Sequence, residues 1–154
     1  MKICMIGAGY VGLVSGSCFA DLGWSVTCVE NDKSRLDELN KGISPIYEPG
    51  IEDLMAANMR SGRLKFTGEM GPAVQAADVV FIGVGTPMRR GDGHADLSYV
   101  FAAVEEMSPH LSGYTVIVTK STVPVGTSRR IEARLKDLRP DADFTVCSNP
   151  EFLR

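Results

Sequence analysis

Three closely spaced glycines near the start of the chain, Gly7, Gly9 and Gly12, form the arrangement G-x-G-x-x-G. Glycine permits a tight turn at the first position and a close approach of the backbone to a phosphate at the second. The third glycine lets the following helix pack against a strand. This spacing predicts binding of a pyrophosphate at a helix N-terminus, where backbone N–H groups lack partners.

An acidic residue lies where a dinucleotide site requires one. Glu30 follows Gly12 by 18 residues and ends an apolar segment, close to the ~20 residues usual for such sites. Its carboxylate can accept hydrogen bonds from a ribose diol and would repel a 2′-phosphate, which predicts NAD rather than NADP. A flavin, or a glycine turn without ligand, stays an alternative. Arg35 could contact the adenosine or lie in solvent.

Polar side chains recur in three later loops, each after an apolar segment. Thr86 lies in the first, Ser121 and Thr122 in the second, and Glu151 in the third. Ligands of an open parallel sheet bind outside the carboxyl ends of its strands. We therefore expect these loops to form a nicotinamide pocket, with ordinary turn and cap chemistry as the alternative.

The elements that must position these residues are predicted from hydropathy. Short runs rich in β-branched residues alternate with stretches of helical period. This pattern predicts an α/β fold, a doubly wound parallel sheet of about six strands of the Rossmann type. The strands are predicted at 2–6, 25–29, 64–67, 77–84, 114–119 and 144–147.

Apolar spacing also predicts which helical faces are buried. The first helix is expected to bury Val11, Val14, Cys18 and Leu22, whose spacings suit a helix on a sheet. Asp96 is expected to cap a later helix. The inner face of that helix is predicted to be Val100, Val104, Met107 and Leu111, and a helix at about 126–138 is expected to present Ile131, Leu135 and Leu138. Two further helical pieces are indicated by Leu36 and Leu39, and by Ile51, Leu54 and Met55.

Composition narrows the possible partners. The 154 residues suit one domain, and 16 Lys and Arg against 19 Asp and Glu give a net charge of −3, which argues against a nucleic-acid partner. Residues 3–20 carry no charge but contain four glycines, so they predict neither a signal peptide nor a membrane partner.

The spacing of the cysteines and carboxylates argues against disulfide bonds and against a metal site. Cys4, Cys18, Cys28 and Cys147 occur singly in apolar stretches, which predicts reduced, buried thiols in a cytoplasmic protein. The acidic residues around Asp96 provide too few ligands for Mg²⁺ or Ca²⁺. No metal site is expected.

Five segments together resemble the nucleotide-sugar 6-dehydrogenase family, in unbroken order along the chain. They are GAGYVG at 7–12, SPIYEPG at 44–50, GTP at 85–87, KSTVPVG at 120–126 and NPEFLR at 149–154. The resemblance implies an NAD-binding domain of an oxidoreductase that converts a sugar 6-hydroxymethyl group to a carboxylate. Two NAD molecules take part, and a cysteine holds the intermediate aldehyde. UDP-glucose is favoured as substrate, with GDP-mannose and UDP-N-acetyl sugars as alternatives.

The same resemblance implies roles for individual residues. Glu30 stands where the family usually has aspartate. Thr122 and Glu151 are implied to be catalytic, the latter in acid–base work. The implied cofactor contacts are Gly7, Gly9, Tyr10, Val11, Gly12, Glu30, Arg35, Thr86, Ser121 and Thr122, and the implied substrate contacts are Glu151, Phe152, Leu153 and Arg154.

The nucleophilic cysteine of the family lies far downstream in a second domain, and none of the four cysteines matches it. We therefore expect residues 1–154 to be the cofactor domain, without the substrate domain and inactive alone, of a cytoplasmic homo-oligomer. The alternative is a regulatory module that binds a nucleotide and performs no chemistry.

Overall fold

The computed structural model describes residues 1–89, 91 and 94–151, and in these residues six parallel strands are connected by six helices. The strands are β1 (Lys2–Ile6), β2 (Ser25–Val29), β3 (Leu64–Thr67), β4 (Val79–Ile82), β5 (Thr115–Thr119) and β6 (Phe144–Ser148). The helices are α1 (Tyr10–Asp21), α2 (Lys33–Asn40), α3 (Ile51–Arg60), α4 (Met70–Gln75), α5 (Ser98–Met107) and α6 (Thr127–Leu138), with a 3-10 turn at Ser108–His110.

The strand order is β3-β2-β1-β4-β5-β6, and every pairing is parallel. The chain moves outward from β1 to β3 and then returns to pair β4 with β1, so the topological switch point lies between β1 and β4. Ile6 is level with both Val29 and Ile82, and Thr119 is level with Ser148. The loops that leave these strands therefore emerge side by side at one edge of the sheet.

The predicted α/β class and doubly wound parallel sheet are confirmed. β4 is shorter than the predicted 77–84 at both ends. At its start, the Ala77 N–H still donates to the Val74 carbonyl of α4 at 3.0 Å. Helix α4 was not predicted, since its six residues include Gly71 and Pro72. Pro is tolerated there because it occupies the first turn, where the N–H would lack a partner.

Helix α1 does not bury the face predicted for it. Leu22 is 71% exposed and Cys18 is exposed, while Val11 and Val14 are partly buried. The helix instead contacts the sheet through a face of mainly small residues, which allow a closer approach than large side chains would. A Cβ atom at Gly16 would lie 2.8 Å from Cys28 Sγ. The buried residues are Gly12, Leu13, Gly16, Ser17 and Ala20.

The core lies on both faces of the sheet. One cluster joins β1, β4 and β5 to α4, α5 and α6, and the other packs α1, α2 and α3 against β1, β2 and β3. The predicted inward residues of α5, from Val100 to Met107, are buried, as is Leu111 beyond it. In α6, Ile131 and Leu135 are buried, whereas Leu138 is 36% exposed at the last position of the helix.

The prediction of four buried cysteines is half wrong. Cys4 and Cys28 are buried, and burial raises the pKa of Cys4 to about 12 and that of Cys28 further. Cys18 faces solvent on α1, and Cys147 is exposed because β6 is an edge strand. Among the helices of residues 1–89, 91 and 94–151, none is long and apolar enough to cross a membrane.

Candidate cofactor site

The glycine loop lies at the switch point, directly after β1. Gly7 has φ +95°, in the region that favours glycine, and its N–H donates to the Val29 carbonyl at 2.9 Å. A Cβ atom at Gly7 would lie 2.9 Å from the Gly83 carbonyl oxygen. The first glycine is therefore required both by its backbone conformation and by the close approach of the chain after β4.

The second glycine opens the site to a ligand. Gly9 is the N-cap of α1, and no heavy atom lies within 4 Å of the position that a Cβ would take there. No side chain caps α1, so the backbone N–H groups of its first turn, including those of Tyr10 and Val11, have no intrahelical partner. These N–H groups and the open space above Gly9 suit a pyrophosphate.

A cleft of about 400 Å³ extends from this loop across the carboxyl edge of the sheet. Its walls come from the glycine loop, from the ends of β2 and β4, and from one face of α5. The polar side chains that line it are Glu30, Asn31, Arg35, Tyr99 and Glu106. The structure thus brings Glu30 to the cleft beside the glycine loop, as the spacing predicted, and it places Arg35 in the same lining.

Glu30 forms part of the cleft wall and is only 5% exposed. One carboxylate oxygen accepts a hydrogen bond from the Asp32 N–H at 2.9 Å, and the other lies 3.5 Å from Arg35 Nη1. Its own N–H donates to the Thr67 carbonyl at 2.9 Å. The carboxylate is therefore held in place before a ligand arrives, as an acceptor for a ribose diol.

The Tyr10 side chain points away from the cleft. Its hydroxyl donates a hydrogen bond to the Glu48 carboxylate in the SPIYEPG segment, and this bond raises the pKa of Tyr10. Residues 44–50 and Glu52 surround a second, open depression of about 520 Å³. A contact of Tyr10 with the cofactor, which stays a prediction, would therefore be made by its backbone.

Three of the predicted polar residues form a chain of hydrogen bonds beside the cleft. The Thr86 hydroxyl donates to the Thr122 carbonyl at 3.0 Å, and the Thr122 hydroxyl donates to the Glu151 carbonyl at 2.8 Å. The loops after β4, β5 and β6 are thereby joined in sequence. The structure brings these residues together, and their roles toward cofactor and substrate stay predictions.

Ser121 is directed into the protein. It is 7% exposed, and its hydroxyl donates to the Val84 carbonyl at 2.6 Å. This bond fixes the loop after β4 against the loop after β5, so Ser121 shapes the cleft wall. A direct contact of its hydroxyl with the cofactor stays a prediction, as do the substrate contacts of Phe152, Leu153 and Arg154, which lie outside the described residues.

Two features of the site escaped the sequence reasoning. The Lys120 ammonium donates to Glu151 Oε2 at 2.7 Å and to Asn149 Oδ1 at 3.1 Å; a lysine directly after an apolar strand, inside KSTVPVG, was a usable signal. Tyr99 and Glu106 line the cleft from α5, seven residues apart on one helical face, which no motif marks.

A parallel sheet in this order, with a glycine loop at the switch point and a carboxylate at the end of β2, defines a dinucleotide-binding domain of the Rossmann type. Family comparison makes this specific. The chain belongs to the UDP-glucose/GDP-mannose dehydrogenase family, whose NAD binding domain matches residues 1–154. NAD is therefore its cofactor, and the open space at Gly9 and the buried Glu30 carboxylate fit that group.

Individual relatives agree with the family. The chain is 62% identical over 154 residues to a UDP-glucose 6-dehydrogenase of Rhizobium meliloti (strain 1021), and 50% identical to UDP-glucose 6-dehydrogenase TuaD of Bacillus subtilis (strain 168). The match to the first protein includes 100% of this chain and 35% of that protein, and the match to the second includes 99% of this chain and 33% of that protein. The chain thus spans about a third of the length of these curated relatives.

Solved structures share the fold closely. A GDP-mannose dehydrogenase from Pseudomonas aeruginosa, in a ternary complex, superimposes with a TM-score of 0.93 at 37% identity, over 100% of this chain and 37% of that one. A UDP-glucose dehydrogenase from Pyrobaculum islandicum gives 0.93 at 40% identity, over 99% and 36%. The chain therefore spans little more than a third of each of these proteins.

Proposed function

We propose that this chain is the cofactor-binding part of an enzyme that oxidises UDP-glucose to UDP-glucuronate with two NAD molecules. The observation that carries the proposal is the hydrogen-bonded chain from Thr86 through Thr122 to Glu151, which lies beside the NAD cleft. The chain holds the backbone of Glu151, and Lys120 holds its carboxylate at 2.7 Å. A pure nucleotide-binding module would have no use for a carboxylate fixed in this place.

Residues in different parts of the site have different proposed roles. The N–H groups of the glycine loop hold the pyrophosphate, and Glu30 accepts hydrogen bonds from the adenosine ribose. NAD, when bound, accepts a hydride from the sugar carbon. Thr122 orients the reacting end of the site, and Glu151 takes or gives a proton there. The loop after β6 begins the surface that faces the sugar.

UDP-glucose is proposed over other sugar nucleotides because of the relatives. The protein of 62% identity is a UDP-glucose 6-dehydrogenase, whereas the GDP-mannose dehydrogenase of known structure is 37% identical. The family itself includes both substrates in its description. The resemblance of SPIYEPG and KSTVPVG points the same way.

The nucleophile is proposed to come from a part of the protein outside these 154 residues. Cys4 and Cys28 are buried, and their raised pKa values disfavour the thiolate. Cys18 lies on α1 far along the helix from the glycine loop, and Cys147 lies within edge strand β6. On the resemblance of the five motifs, the whole protein is proposed to act as a cytoplasmic homo-oligomer.

The test is a substrate panel with the product of the full gene. NADH formation is followed with UDP-glucose, GDP-mannose and UDP-N-acetyl sugars in parallel, with NADP in place of NAD as a control. The expected result is fastest turnover with UDP-glucose, two NADH formed per sugar oxidised, and little activity with NADP. Faster turnover of another sugar nucleotide would reassign the substrate, and no NADH with any of them would overturn the proposal.

A further inference from the structure

Lys120 lies at the carboxyl end of β5 in a position where a lysine is costly to bury. Its side chain is only 10% exposed, and lysine is rarely this buried unless it is paired. Its backbone N–H donates to the Ile82 carbonyl at 2.9 Å, which anchors the residue to the end of β4. The backbone of Lys120 is therefore fixed by the central part of the sheet.

The ammonium group is directed at the loop that follows β6. Its Nζ atom lies 2.7 Å from Glu151 Oε2 and 3.1 Å from Asn149 Oδ1. Both are hydrogen bonds from a cation, and the one to the carboxylate joins two charged groups, the strongest class of such contacts. The Asn149 N–H in turn donates to the Thr119 carbonyl at 3.0 Å, next to Lys120.

Glu151 is thus held at two points. Its backbone carbonyl accepts from the Thr122 hydroxyl at 2.8 Å, and its carboxylate accepts from Lys120. The Glu151 side chain keeps 37% of its surface exposed, so it is restrained without being enclosed. A carboxylate in this state can still meet a ligand.

We propose that Lys120 is a positioning residue that holds the Glu151 carboxylate in the orientation from which it acts on the substrate. The inference rests on the proposed function, because Glu151 has a role in proton transfer only if the protein oxidises a sugar nucleotide. Lys120 is not among the residues that line the cleft, so it acts through Glu151 and leaves NAD binding unchanged.

The experiment measures NADH formation by the full gene product carrying Lys120→Met. The neutral side chain of similar length removes both hydrogen bonds, and kcat with the sugar nucleotide is expected to fall about 100-fold, at the lower end of what a misplaced general acid or base costs. The Kd for NAD is expected to stay within about 3-fold. Lys120→Arg keeps the charge and is expected to recover a large part of the loss.

The matched control is Lys136→Met. Lys136 also pairs with a glutamate, Glu132 at 2.5 Å, but on the solvent face of α6, with 65% of its side chain exposed. Both variants remove one lysine and one ion pair. Lys136→Met is expected to leave kcat and the NAD affinity as in the wild type.

A double-mutant cycle separates positioning from a general structural role. If Lys120 acts through Glu151, Lys120→Met will cost nothing further when Glu151 is already alanine, measured by single-turnover NADH formation. Equal losses in both backgrounds, or a kcat of Lys120→Met within 2-fold of the wild type, would overturn the inference. A folded Lys120→Met protein that has lost NAD affinity would overturn it as well. If Lys120→Met does not fold, Lys120→Gln replaces it in the cycle.

The two proposals fail in different ways. A wild-type protein that oxidises no sugar nucleotide removes the proposed function, and the inference with it. A wild-type protein that oxidises UDP-glucose while Lys120→Met does so equally well removes the inference alone.

Discussion

A Cβ atom added at Gly12 would lie 1.9 Å from the carbonyl oxygen of Gly7. The first turn of α1 thus rests directly on the backbone of the loop that leaves β1. Because the obstacle is backbone and not the end of a flexible side chain, only glycine allows α1 to begin where it does. The direction in which the N–H groups of α1 point depends on this contact.

Gly12→Ala is expected to lower both stability and NAD affinity. The methyl group must push α1 away from Gly7, and forced overpacking of this kind costs roughly 3 kcal/mol. The displaced helix would also misplace the N–H groups that hold the pyrophosphate. Urea unfolding and NAD titration of the same variant measure the two effects. Unchanged unfolding would contradict the contact.

Gly9→Ala is the companion substitution, expected to affect binding alone. No atom lies within 4 Å of its Cβ position, and its φ of −73° suits alanine. Unfolding should therefore stay within about 0.5 kcal/mol of the wild type. The methyl group would project into the open space that suits the pyrophosphate, so the Kd for NAD should rise at least about 10-fold. Equal NAD affinity would place the pyrophosphate elsewhere.

Glu30→Gln is expected to weaken the preference for NAD over NADP. The glutamine keeps the size of the side chain but removes the charge that accepts from the ribose diol and repels a 2′-phosphate. Hydrogen bonds to charged groups contribute about 1.5–3 kcal/mol, so the Kd for NAD should rise roughly 10- to 100-fold while that for NADP changes less or falls. Titration with both nucleotides measures the ratio.

Glu38→Gln provides the comparison for that measurement. Glu38 is exposed on α2 and is not among the residues that line the cleft, and Glu38→Gln removes the same charge as Glu30→Gln. Its NAD and NADP affinities should both match the wild type. A change equal to that of Glu30→Gln would show that net charge, and not the position of the carboxylate in the cleft, sets the preference.

Local patterns predicted the parts of the fold that depend on neighbouring residues. The bounds of β1, β2 and β3 follow from runs of apolar and β-branched residues, and the glycine loop and Glu30 follow from spacing along the chain. The three polar loops could be placed at one edge because all parallel strands end there. None of these inferences requires knowing which strands are neighbours.

The errors concern features set by distant parts of the chain. The buried face of α1 depends on how closely the helix approaches Gly7 and Cys28. This close approach requires glycine on the buried face, and the larger Leu22 is left exposed. The exposure of Cys147 follows from the edge position of β6, a consequence of strand order. The contact of Lys120 with Glu151 joins residues 31 positions apart, and spacing alone cannot reveal it.

Asp96 is expected to make stability depend on pH in the acid range. Its carboxylate accepts from the Ser98 N–H at 2.9 Å, and this bond lowers the pKa of Asp96. A lowered folded-state pKa stabilises the protein above the unfolded value of about 3.9, and the stabilisation is lost as the pH falls through the folded value. The Tm deficit of Asp96→Ala should therefore be largest near neutral pH and shrink below about pH 4.

Asp37→Ala, an exposed position on α2, is the comparison for this pH series. Its melting temperature should follow that of the wild type across the range. If the deficit of Asp96→Ala stays constant down to about pH 3, the carboxylate at Asp96 does not act through its charge.

Asn58 joins α3 to the strand that follows it and to α1, although it is fully buried. Its amide nitrogen donates to the Leu54 carbonyl at 3.0 Å, and its amide oxygen accepts from Arg63 Nη2 at 3.1 Å. Arg63 Nε also donates to the Ala20 carbonyl at 2.9 Å. The network lies at the opposite end of β2 and β3 from the cofactor cleft.

Asn58→Ala is therefore expected to reduce stability without changing NAD affinity. The substitution removes an acceptor from the Arg63 guanidinium in a buried setting, and an unsatisfied group of this kind costs about 2–3 kcal/mol. Urea unfolding of Asn58→Ala should show that loss, whereas Asn40→Ala, at the exposed end of α2, should stay within about 0.5 kcal/mol of the wild type. The Kd for NAD should be the same in the wild type and in both variants. The cleft lies at the carboxyl ends of the strands, whereas the contacts of Asn58 lie at the opposite ends of β2 and β3. If Asn58→Ala loses more NAD affinity than Asn40→Ala, the packing of α1 against α3 affects the position of the glycine loop.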